Sequence, residues 1–367
     1  MSLNYSKILI TLTIVLLIFG LLTLFSASVV VAQQDYGDAF YFVKRQIIQG
    51  VILGGVVAFL ASRLPLSFWQ KLAPLLLIFN VILVALCFVP PFKVANAPAL
   101  RWLKIGPISF QPSEFLKITY PAFLAAILCR SNPKERKKVF GKPFLTFLFS
   151  FGLISGLMFI QPSTGTVLII GLASLAIYFT SGLSLKQIIV LIIITIIVGS
   201  YLFKVSPYRL QRIISFKEGE EDPLKSGYHI EQSLIGIGSG GIFGLGFLKS
   251  VQKFFYLPES HTDSIFSVIS EEFGFIGSII LIVLYLSLIL VGLKIASKSI
   301  NNFNKFFAIG LISHIGFQTF INIAVMTKII PATGVPLPFI SYGSSSLITS
   351  LVSIGILSKI ASGEVYN

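Results

Sequence analysis

Charged residues are scarce in this 367-residue sequence, and acidic residues are the scarcest of them. Lysine, arginine, aspartate and glutamate together make up 11% of the residues, whereas a soluble domain carries about 25%. Hydrophobic residues make up 55%, and the mean hydropathy is +0.90. So few charges cannot coat a water-exposed surface, which excludes a soluble globular domain. A lipid bilayer is therefore predicted to surround most of the chain.

Cysteine and histidine are also rare, with two and three residues respectively. Cys87 and Cys129 both fall in apolar segments, so the sequence indicates no disulfide framework, and it contains no obvious dedicated metal cage. The first apolar run is too long for a signal-peptide core and lacks a clear cleavage context, so we expect a retained first span. Without tandem repeats or an appended soluble domain, residues 1–367 are predicted to form one membrane domain.

Long apolar runs are what the sequence has in abundance. A helix needs about 20 apolar residues to cross the hydrocarbon core of a bilayer, and ten segments come close to that length. They are residues 8–32, 46–63, 71–91, 113–130, 144–161, 164–183, 187–204, 264–293, 306–326 and 341–360. The predicted fold class is an all-α polytopic membrane protein with about ten transmembrane helices.

The net charge of +14 is only a weak indication of nucleic-acid binding, because many of the cations flank apolar runs. The loop RSNPKERKKVFGKP after the fourth predicted span holds six cations, and Lys294, Lys298 and Lys305 lie between spans eight and nine. Short loops rich in lysine and arginine lie in the cytoplasm. Both termini are therefore predicted to be cytoplasmic, and residues 205–263 to form one long extracytoplasmic loop.

This predicted loop has two unlike halves. The first half is charged and turn-forming, whereas the second, SLIGIGSGGIFGLGFLKSVQKFFYLP, is glycine-rich and apolar. The second half could re-enter the membrane where protein or water covers its backbone. Gly236, Gly238 and Gly241 match the G-x-G-x-x-G pattern of dinucleotide sites, but no βαβ unit surrounds them. We interpret the run as a flexible or closely packed backbone turn.

The stretch ARWLKIGPISFQPSEFLKI, which leads into span four, combines charge with apolar residues. Ser113 is a candidate N-cap, and Glu114 lies in the first turn, where helices favour acidic residues. Glu114 and Lys117 share a helix face, so one interpretation is a local ion pair. The other is that Lys117 faces a cavity, where it could bind an anionic headgroup together with Arg101 and Lys104.

Hydroxyl groups are concentrated in PATGVPLPFISYGSSSL, which precedes the last predicted span. Ser341, Tyr342 and residues 344–346 carry them. Small residues at a helix entry allow close helix packing, which is one interpretation of this stretch. Direct polar contact with a substrate is the other.

Four of the 14 acidic residues lie in one stretch, YLPESHTDSIFSVISEEFGFIG. Asp263 falls where the long loop becomes span eight, so either Thr262 or Asp263 is a candidate helix cap. Glu271 and Glu272 lie about 12 Å further along the helix axis, where a carboxylate must face a partner or water. We expect these two to form structural ion pairs or to share a proton. His261 could assist Asp263 or lie solvated at the rim.

These motifs, in this order, resemble the SEDS family of bacterial cell-wall polymerases, which includes the RodA and FtsW types. The resemblance covers nearly the whole chain, through LFSAS, RWLKIGPISFQPSEFLKI, QPSTGT, DPLKSGYHIEQSLIGIGSGGIFGLGF, YLPESHTDSIFSVISEEFGFIG and PATGVPLPFISYGSSS. It implies a peptidoglycan glycosyltransferase that polymerises lipid II at the outer face of the cytoplasmic membrane. It also implies a class B penicillin-binding transpeptidase as partner, with divisome or elongasome membrane proteins and membrane lipid, and no nucleic acid.

The resemblance also implies roles for individual residues. The Asp of the family's H-T-D motif is its proposed catalytic residue, and it matches Asp263. The family's Glu and Lys after Q-P-S match Glu114 and Lys117. Its Arg-Trp pair matches Arg101 and Trp102.

The implied reaction converts an α-linked lipid pyrophosphate sugar into a β-1,4 linkage, so the anomeric carbon inverts. One carboxylate, which we predict to be Asp263, would deprotonate the attacking 4-hydroxyl. The leaving pyrophosphate needs only cations, and the three basic residues around span four, Lys104 among them, or a bound Mg²⁺ or other divalent cation could supply them. His261 and Ser341 complete the predicted substrate-binding set, and no organic cofactor is expected.

The chain departs from the family pattern at three positions near these motifs. Ser163 stands where the family usually has Asp, Ser264 where it has Phe, and Ser344 where it has Gly. SVQKFFYLPESHTD is closer to the division type and PATGVPLPF to the elongation type, and of the two we favour the division type. A lipid flippase or transporter and a membrane scaffold for a transpeptidase are the alternative functions.

Overall fold

The computed structural model describes residues 4–92, 100–106, 108–205, 226–254 and 256–363. Ten long helical segments run through these ranges, as the apolar runs predict. They are α1 (Tyr5–Tyr36), the segment Tyr41–Arg63, α4 (Leu66–Leu86), α5 (Pro112–Arg130), α7 (Lys142–Ile160), α8 (Thr164–Gly182), α9 (Leu185–Val205), α11 (Ile265–Lys298), α12 (Asn302–Met326) and α13 (Ser344–Gly363).

The shorter elements lie at the ends of these segments or between them. The segment Tyr41–Arg63 consists of α2 (Tyr41–Arg45), a π-helical stretch (Gln46–Ile52) and α3 (Leu53–Arg63). A two-stranded antiparallel hairpin precedes α5, and two short helices lie in loops. These are β1 (Leu103–Ile105), β2 (Ile108–Phe110), α6 (Pro133–Arg136) and α10 (Ser226–Ser239).

Eight of the long segments are both long and apolar enough to cross a membrane, counted over the described ranges. The two others are α5 and α9. In α5, Glu114 and Lys117 interrupt the apolar run, whereas in α9 the apolar stretch found among the described residues, Leu185–Thr195, is shorter than the eight spans. The predicted all-α polytopic membrane architecture is confirmed.

The core of the bundle is built around α12 and α13, the two most enclosed of the eight spans. Helix α12 packs against α5, α8 and α11, and α13 packs against α1 and α3. The α3–α13 contact is close because a Cβ placed on Gly355 would lie only 2.5 Å from the carbonyl oxygen of Ala58. Glycine at this position lets the two backbones approach, as small residues do at helix interfaces in membranes.

Two predicted helix caps are wrong. Helix α5 begins with Pro112 at its first position and has Gln111 at the N-cap without a side-chain cap, so Ser113 lies inside the first turn and is buried. Helix α11 has Ser264 at its N-cap. Thr262 instead donates its hydroxyl to Glu259, at 2.6 Å.

Helix α11 is broken at Gly274, where φ is +66° and ψ is −164°. The glycine-rich loop before the helix fills this break with its own backbone. The amide of Phe275 donates to the carbonyl of Gly241 at 2.9 Å, and the amide of Leu245 donates to the carbonyl of Glu271 at 2.9 Å. The loop therefore satisfies backbone groups that a break within lipid would leave without partners.

Only the end of the glycine run is the closely packed turn that the sequence predicts, because Gly236 and Gly238 lie in α10 and the turn begins at Gly240. The tightest positions are Gly240 and Gly244, whose Cβ atoms would collide with the backbone of α11. Gly238 and Gly241, which belong to the G-x-G-x-x-G pattern, have open space around them. The charged half of the predicted loop falls mostly on residues 206–225, which lie outside the described residues.

The two deep carboxylates of α11 tie this loop to the helix. Glu271 accepts hydrogen bonds from the hydroxyl of Ser250 and from the two following backbone amides. Glu272 pairs with Lys253, at 3.0 Å, and accepts from Ser26 of α1. Both carboxylates are buried. The predicted ion pair is confirmed for Glu272, whereas Glu271 is held by hydrogen bonds to the loop, and together they anchor the loop that leads to Asp263.

Candidate active site

A polar cavity of about 330 Å³ lies at the end of the bundle opposite the cation-rich loop between α5 and α7. Its lining comes from five stretches of chain, within residues 101–102, 111–117, 163–169, 259–263 and 333–346. Four of these stretches contain or adjoin the N-termini of α5, α8, α11 and α13. Because the N-terminus of a helix carries a partial positive charge and unpaired amides, this arrangement favours an anionic ligand.

Asp263 lines this cavity at the last turn before α11 and is partly buried. Its carboxylate lies against the backbone of Gly334, since a Cβ placed on that glycine would be 3.4 Å from Oδ2. Gly334 has a φ of +69°, a conformation that favours glycine. The carboxylate therefore has the cavity on one side and a backbone wall that lacks a side chain on another.

Glu114 and Lys117 line the cavity from the first turns of α5 and form a buried ion pair. The Lys117 ammonium lies 2.8 Å from both carboxylate oxygens of Glu114 and 2.7 Å from Oε1 of Gln318 in α12. The side chain of Lys117 is only 2% exposed. The local ion pair is therefore present and lies on the cavity wall, and binding of an anionic headgroup by Lys117 stays a prediction.

Arg101 and Trp102 reach the cavity from the turn before the hairpin. The Arg101 guanidinium donates to the carbonyl of Gln161, at 3.0 Å, and to that of Pro162, so it also holds the loop before α8 in place. Lys104 lies on β1 with its side chain exposed and does not line the cavity. A contact between Lys104 and a ligand in this cavity is therefore not supported.

His261 and Ser341 do not line the cavity either, although the sequence places both in the substrate-binding set. The ring of His261 packs against Phe42, with centroids 4.4 Å apart, and burial lowers the pKa of its imidazole. Ser341 is buried, and its hydroxyl bonds to the backbone of Thr262 and Leu337. Both side chains are turned toward protein, His261 by packing against Phe42 of α2 and Ser341 by its hydrogen bonds to loop backbone.

Several cavity residues are missing from the predicted set. Ser163, which replaces the family's usual Asp, lines the cavity and shares a 2.9 Å hydrogen bond with the hydroxyl of Thr166. Glu259 is a third carboxylate on the cavity wall, after Asp263 and Glu114, and Ser345 and Ser346 contribute from the start of α13. All of them lie in the motifs quoted above, but only loop geometry distinguishes them from neighbours that point elsewhere.

The cavity does not form a complete metal site from protein groups alone. Across the described part of the chain, no cluster of three or more His, Cys, Asp or Glu side chains is suited to holding a metal ion. Asp263 and Glu259 are two carboxylates on the same wall. Mg²⁺ is commonly held by one or two carboxylates together with substrate phosphates, so the donors present fit a shared ion and not a resident one.

Sequence comparisons match almost the entire chain. A model of the FtsW/RodA/SpoVE family, described as "Cell cycle protein", covers residues 6–365. The chain is 37% identical to the probable peptidoglycan glycosyltransferase FtsW of Coxiella burnetii, over 98% of this chain and 97% of that protein. It is also 37% identical to the stage V sporulation protein E of Bacillus subtilis, over 96% of each.

Solved structures share the fold over the same length. One, described as "Structural coordination of polymerization and crosslinking by a peptidoglycan synthase complex", superposes with a TM-score of 0.79 at 26% identity and covers 98% of both chains. The rod shape determining protein RodA of Thermus thermophilus superposes with a TM-score of 0.70 at 26% identity, over 98% of this chain and 97% of that one.

Proposed function

Given that the chain belongs to the FtsW/RodA/SpoVE family of cell cycle proteins, we propose that the protein polymerises lipid II in its polar cavity, with Asp263 as the general base. The chain is a peptidoglycan glycosyltransferase, the activity that the name of its Coxiella burnetii relative states. The observation that carries the residue assignment is the position of Asp263, which faces a cavity that also contains Arg101, Lys117 and four helix N-termini.

In the proposed reaction, the Asp263 carboxylate takes the proton of the acceptor sugar's 4-hydroxyl. The freed oxygen then forms a bond to the anomeric carbon of the donor sugar. The bond from that carbon to the pyrophosphate oxygen breaks, and the lipid pyrophosphate leaves with the electron pair. Attack from the face opposite the leaving group inverts the α linkage to β, as in inverting sugar transfer with one carboxylate base.

The pyrophosphate is proposed to bind in the cavity beside Arg101. The helix N-termini and the guanidinium of Arg101 would stabilise its charge as it leaves. Lys117 contributes differently, because an ammonium has three hydrogens and Lys117 makes three hydrogen bonds, to both oxygens of Glu114 and to Gln318. It therefore acts as a fixed nearby charge unless it exchanges one of these partners.

A divalent cation such as Mg²⁺ is proposed as a second source of positive charge. Glu259, which also lines the cavity, would hold it and leave Asp263 free to act as the base, and the ion would supply charge stabilisation to the leaving group. The sugar chemistry itself needs no organic cofactor.

The location of the protein and its partners are also proposed. We place the protein in the bacterial cytoplasmic (inner) membrane with both termini in the cytoplasm and the cavity at the outer face, because the cation-rich loops lie at the other end. A class B penicillin-binding transpeptidase is the proposed partner, and the likeness to a peptidoglycan synthase complex supports it. Of the family's branches, we propose the division type, with divisome membrane proteins as further partners.

The transporter alternative loses the feature that favoured it. A pair of carboxylates inside the membrane marks many transport pathways, but Glu271 and Glu272 are both bonded to the loop before α11 and are absent from the cavity wall. Their arrangement is that of a structural anchor.

The decisive experiment uses purified protein with labelled lipid II, with and without the partner transpeptidase. Glycan strands made by the wild type and lost in Asp263→Asn are the expected result. Normal polymerisation by Asp263→Asn would show that the base assignment is wrong. Lipid translocation in vesicles without polymer would support the transporter, and partner binding without chemistry would support the scaffold.

A further inference from the structure

We propose that two buried side chains, Asn322 and Ser341, are positioning residues that hold the Asp263 carboxylate in place through its backbone. This inference rests on the proposed function, in which Asp263 is the general base. It adds two residues that do not touch substrate and that act on the reaction only through the aspartate.

The first observation concerns three successive backbone carbonyls, those of residues 261–263. They precede α11, whose first internal bond runs from the amide of residue 267 to the carbonyl of residue 264. The three carbonyls instead accept hydrogen bonds, in order, from the amide of Tyr342 at 2.9 Å, the hydroxyl of Ser341 at 2.6 Å and the side-chain amide of Asn322 at 2.7 Å. The catalytic turn is thus bonded to α12 and to the loop before α13.

The second observation is that the same two side chains also bond to the wall that faces Asp263, the stretch around Gly334. The Asn322 amide donates to the carbonyl of Val335 at 2.8 Å, and the Ser341 hydroxyl accepts from the amide of Leu337 at 2.7 Å. This wall contains Gly334, against which the aspartate carboxylate lies. Asn322 and Ser341 are each bonded both to the turn of Asp263 and to the wall around Gly334. The spacing between the base and this wall therefore depends on one side-chain amide and one hydroxyl.

Burial separates this role from substrate binding. Asn322 is 1% exposed and Ser341 is 5% exposed, and neither lines the cavity. A third polar side chain, Gln46 of the π-helical stretch, bonds to the carbonyl of Ser341 at 3.1 Å and to the amide of Gly343 at 3.2 Å. The loop that supplies the serine is itself held in place.

The expected effect falls on the rate of the chemical step. A displacement of about 1 Å at a reacting group can reduce a rate about 100-fold. Asn322→Leu keeps a similar volume but removes both donors. We expect its maximal rate of lipid II polymerisation to fall by about 10- to 100-fold, while the half-saturating lipid II concentration stays within about threefold of wild type, because substrate contacts are unchanged.

The chain offers a matched control in Gln187. It is buried, and its side-chain amide donates to two loop carbonyls, those of Arg136 at 2.8 Å and Lys138 at 3.2 Å, at the opposite end of the bundle. Gln187→Met removes the same kind of interaction far from the cavity. At an equal folded fraction, measured by size-exclusion chromatography and thermal unfolding, we expect Gln187→Met to keep the wild-type maximal rate.

Ser341→Ala is the second variant, and it keeps the proposal testable if Asn322→Leu does not fold. It removes one hydroxyl and should lower the maximal rate about 10-fold with little change in half-saturation. If Asn322→Leu and Ser341→Ala match Gln187→Met in maximal rate while Asp263→Asn is inactive, the positioning proposal is overturned and the base assignment stands. A raised half-saturating concentration at an unchanged maximal rate would also overturn it, by indicating substrate binding. Full activity of Asp263→Asn would instead remove the premise.

Discussion

Replacing Lys117 by methionine should destabilise the protein strongly, because it leaves a buried carboxylate without its cation. In the wild type, Nζ of Lys117 lies 2.8 Å from both oxygens of Glu114, and these side chains are 2% and 5% exposed. Methionine fills a similar volume but donates no hydrogen bond. Glu114 would then have to keep an uncompensated charge or take up a proton.

The magnitude follows from the burial of the pair. Removing one partner of a buried ion pair costs about 3–5 kcal/mol, whereas replacing both partners by neutral groups is often close to neutral. The double variant Glu114→Gln/Lys117→Met should therefore recover at least half of the stability that Lys117→Met loses. The exposed pair of Glu135 and Lys138 has the same i,i+3 spacing, with side chains 43% and 64% exposed, so Lys138→Met should cost less than about 1 kcal/mol.

The assay is unfolding of the purified protein in mixed micelles, followed through the fluorescence of the two tryptophans. Wild type, Lys117→Met, the double variant and Lys138→Met are compared at one detergent concentration and one pH. If Lys117→Met unfolds with the same free energy as Lys138→Met, the pair is not a desolvated contact. If the double variant is less stable than the single one, an uncompensated charge is not the cause of the loss.

Three further predictions address the wall, the pH dependence and the cation. Gly334→Ala should lower the rate of polymerisation at least about 10-fold, because the new methyl group would lie 3.4 Å from the Asp263 carboxylate at a φ of +69°. The control is Gly37→Ala, which has a φ of +68° and no neighbour within 4 Å and should leave the rate unchanged. Equal rates for the two variants would contradict the prediction. Burial lowers the pKa of His261, against a smaller opposing effect of Glu259. The unfolded chain, with an imidazole pKa of about 6.5, therefore binds that proton more readily, and stability should fall as the pH drops below that value. His261→Phe should lose this part of the pH dependence in unfolding measured at about pH 7.5 and 5.5, and an unchanged dependence would show that another group titrates. Removing divalent cations with EDTA should slow polymerisation and added Mg²⁺ should restore it, and a rate that EDTA does not change would refute the shared-ion proposal.

The sequence was sufficient for the architecture because the bilayer acts on each segment separately. An apolar run of about 20 residues must span or be buried whatever its neighbours do, so ten runs predicted ten long helical segments. The break in α11 was not predictable in the same way. Glycine is common inside membrane helices, and Gly274 became a break only because the backbone of the preceding loop occupies the position beside it.

The functional motifs were visible in the sequence, but the orientation of their side chains was not. Lys117 is predicted to face a cavity because a charge beside an apolar run needs a polar environment, whereas the role of Asp263 is implied by the family resemblance. Both residues line the cavity. Lys104 and Ser341 belong to the same motifs and point elsewhere. Asn322 belongs to no motif in the sequence, because one asparagine in an apolar helix carries no periodic signal.

The sequence by itself determined the membrane class, the number and order of the helices and the family, because hydrophobic length and motif order are local properties of the chain. The tertiary structure decided which polar groups share the cavity, that Glu271 and Glu272 anchor a loop, and that Asn322 and Ser341 hold the turn of Asp263. Those outcomes depend on the rotation of packed helices and on hydrogen bonds between segments far apart in sequence. Such contacts form only once the bundle has assembled.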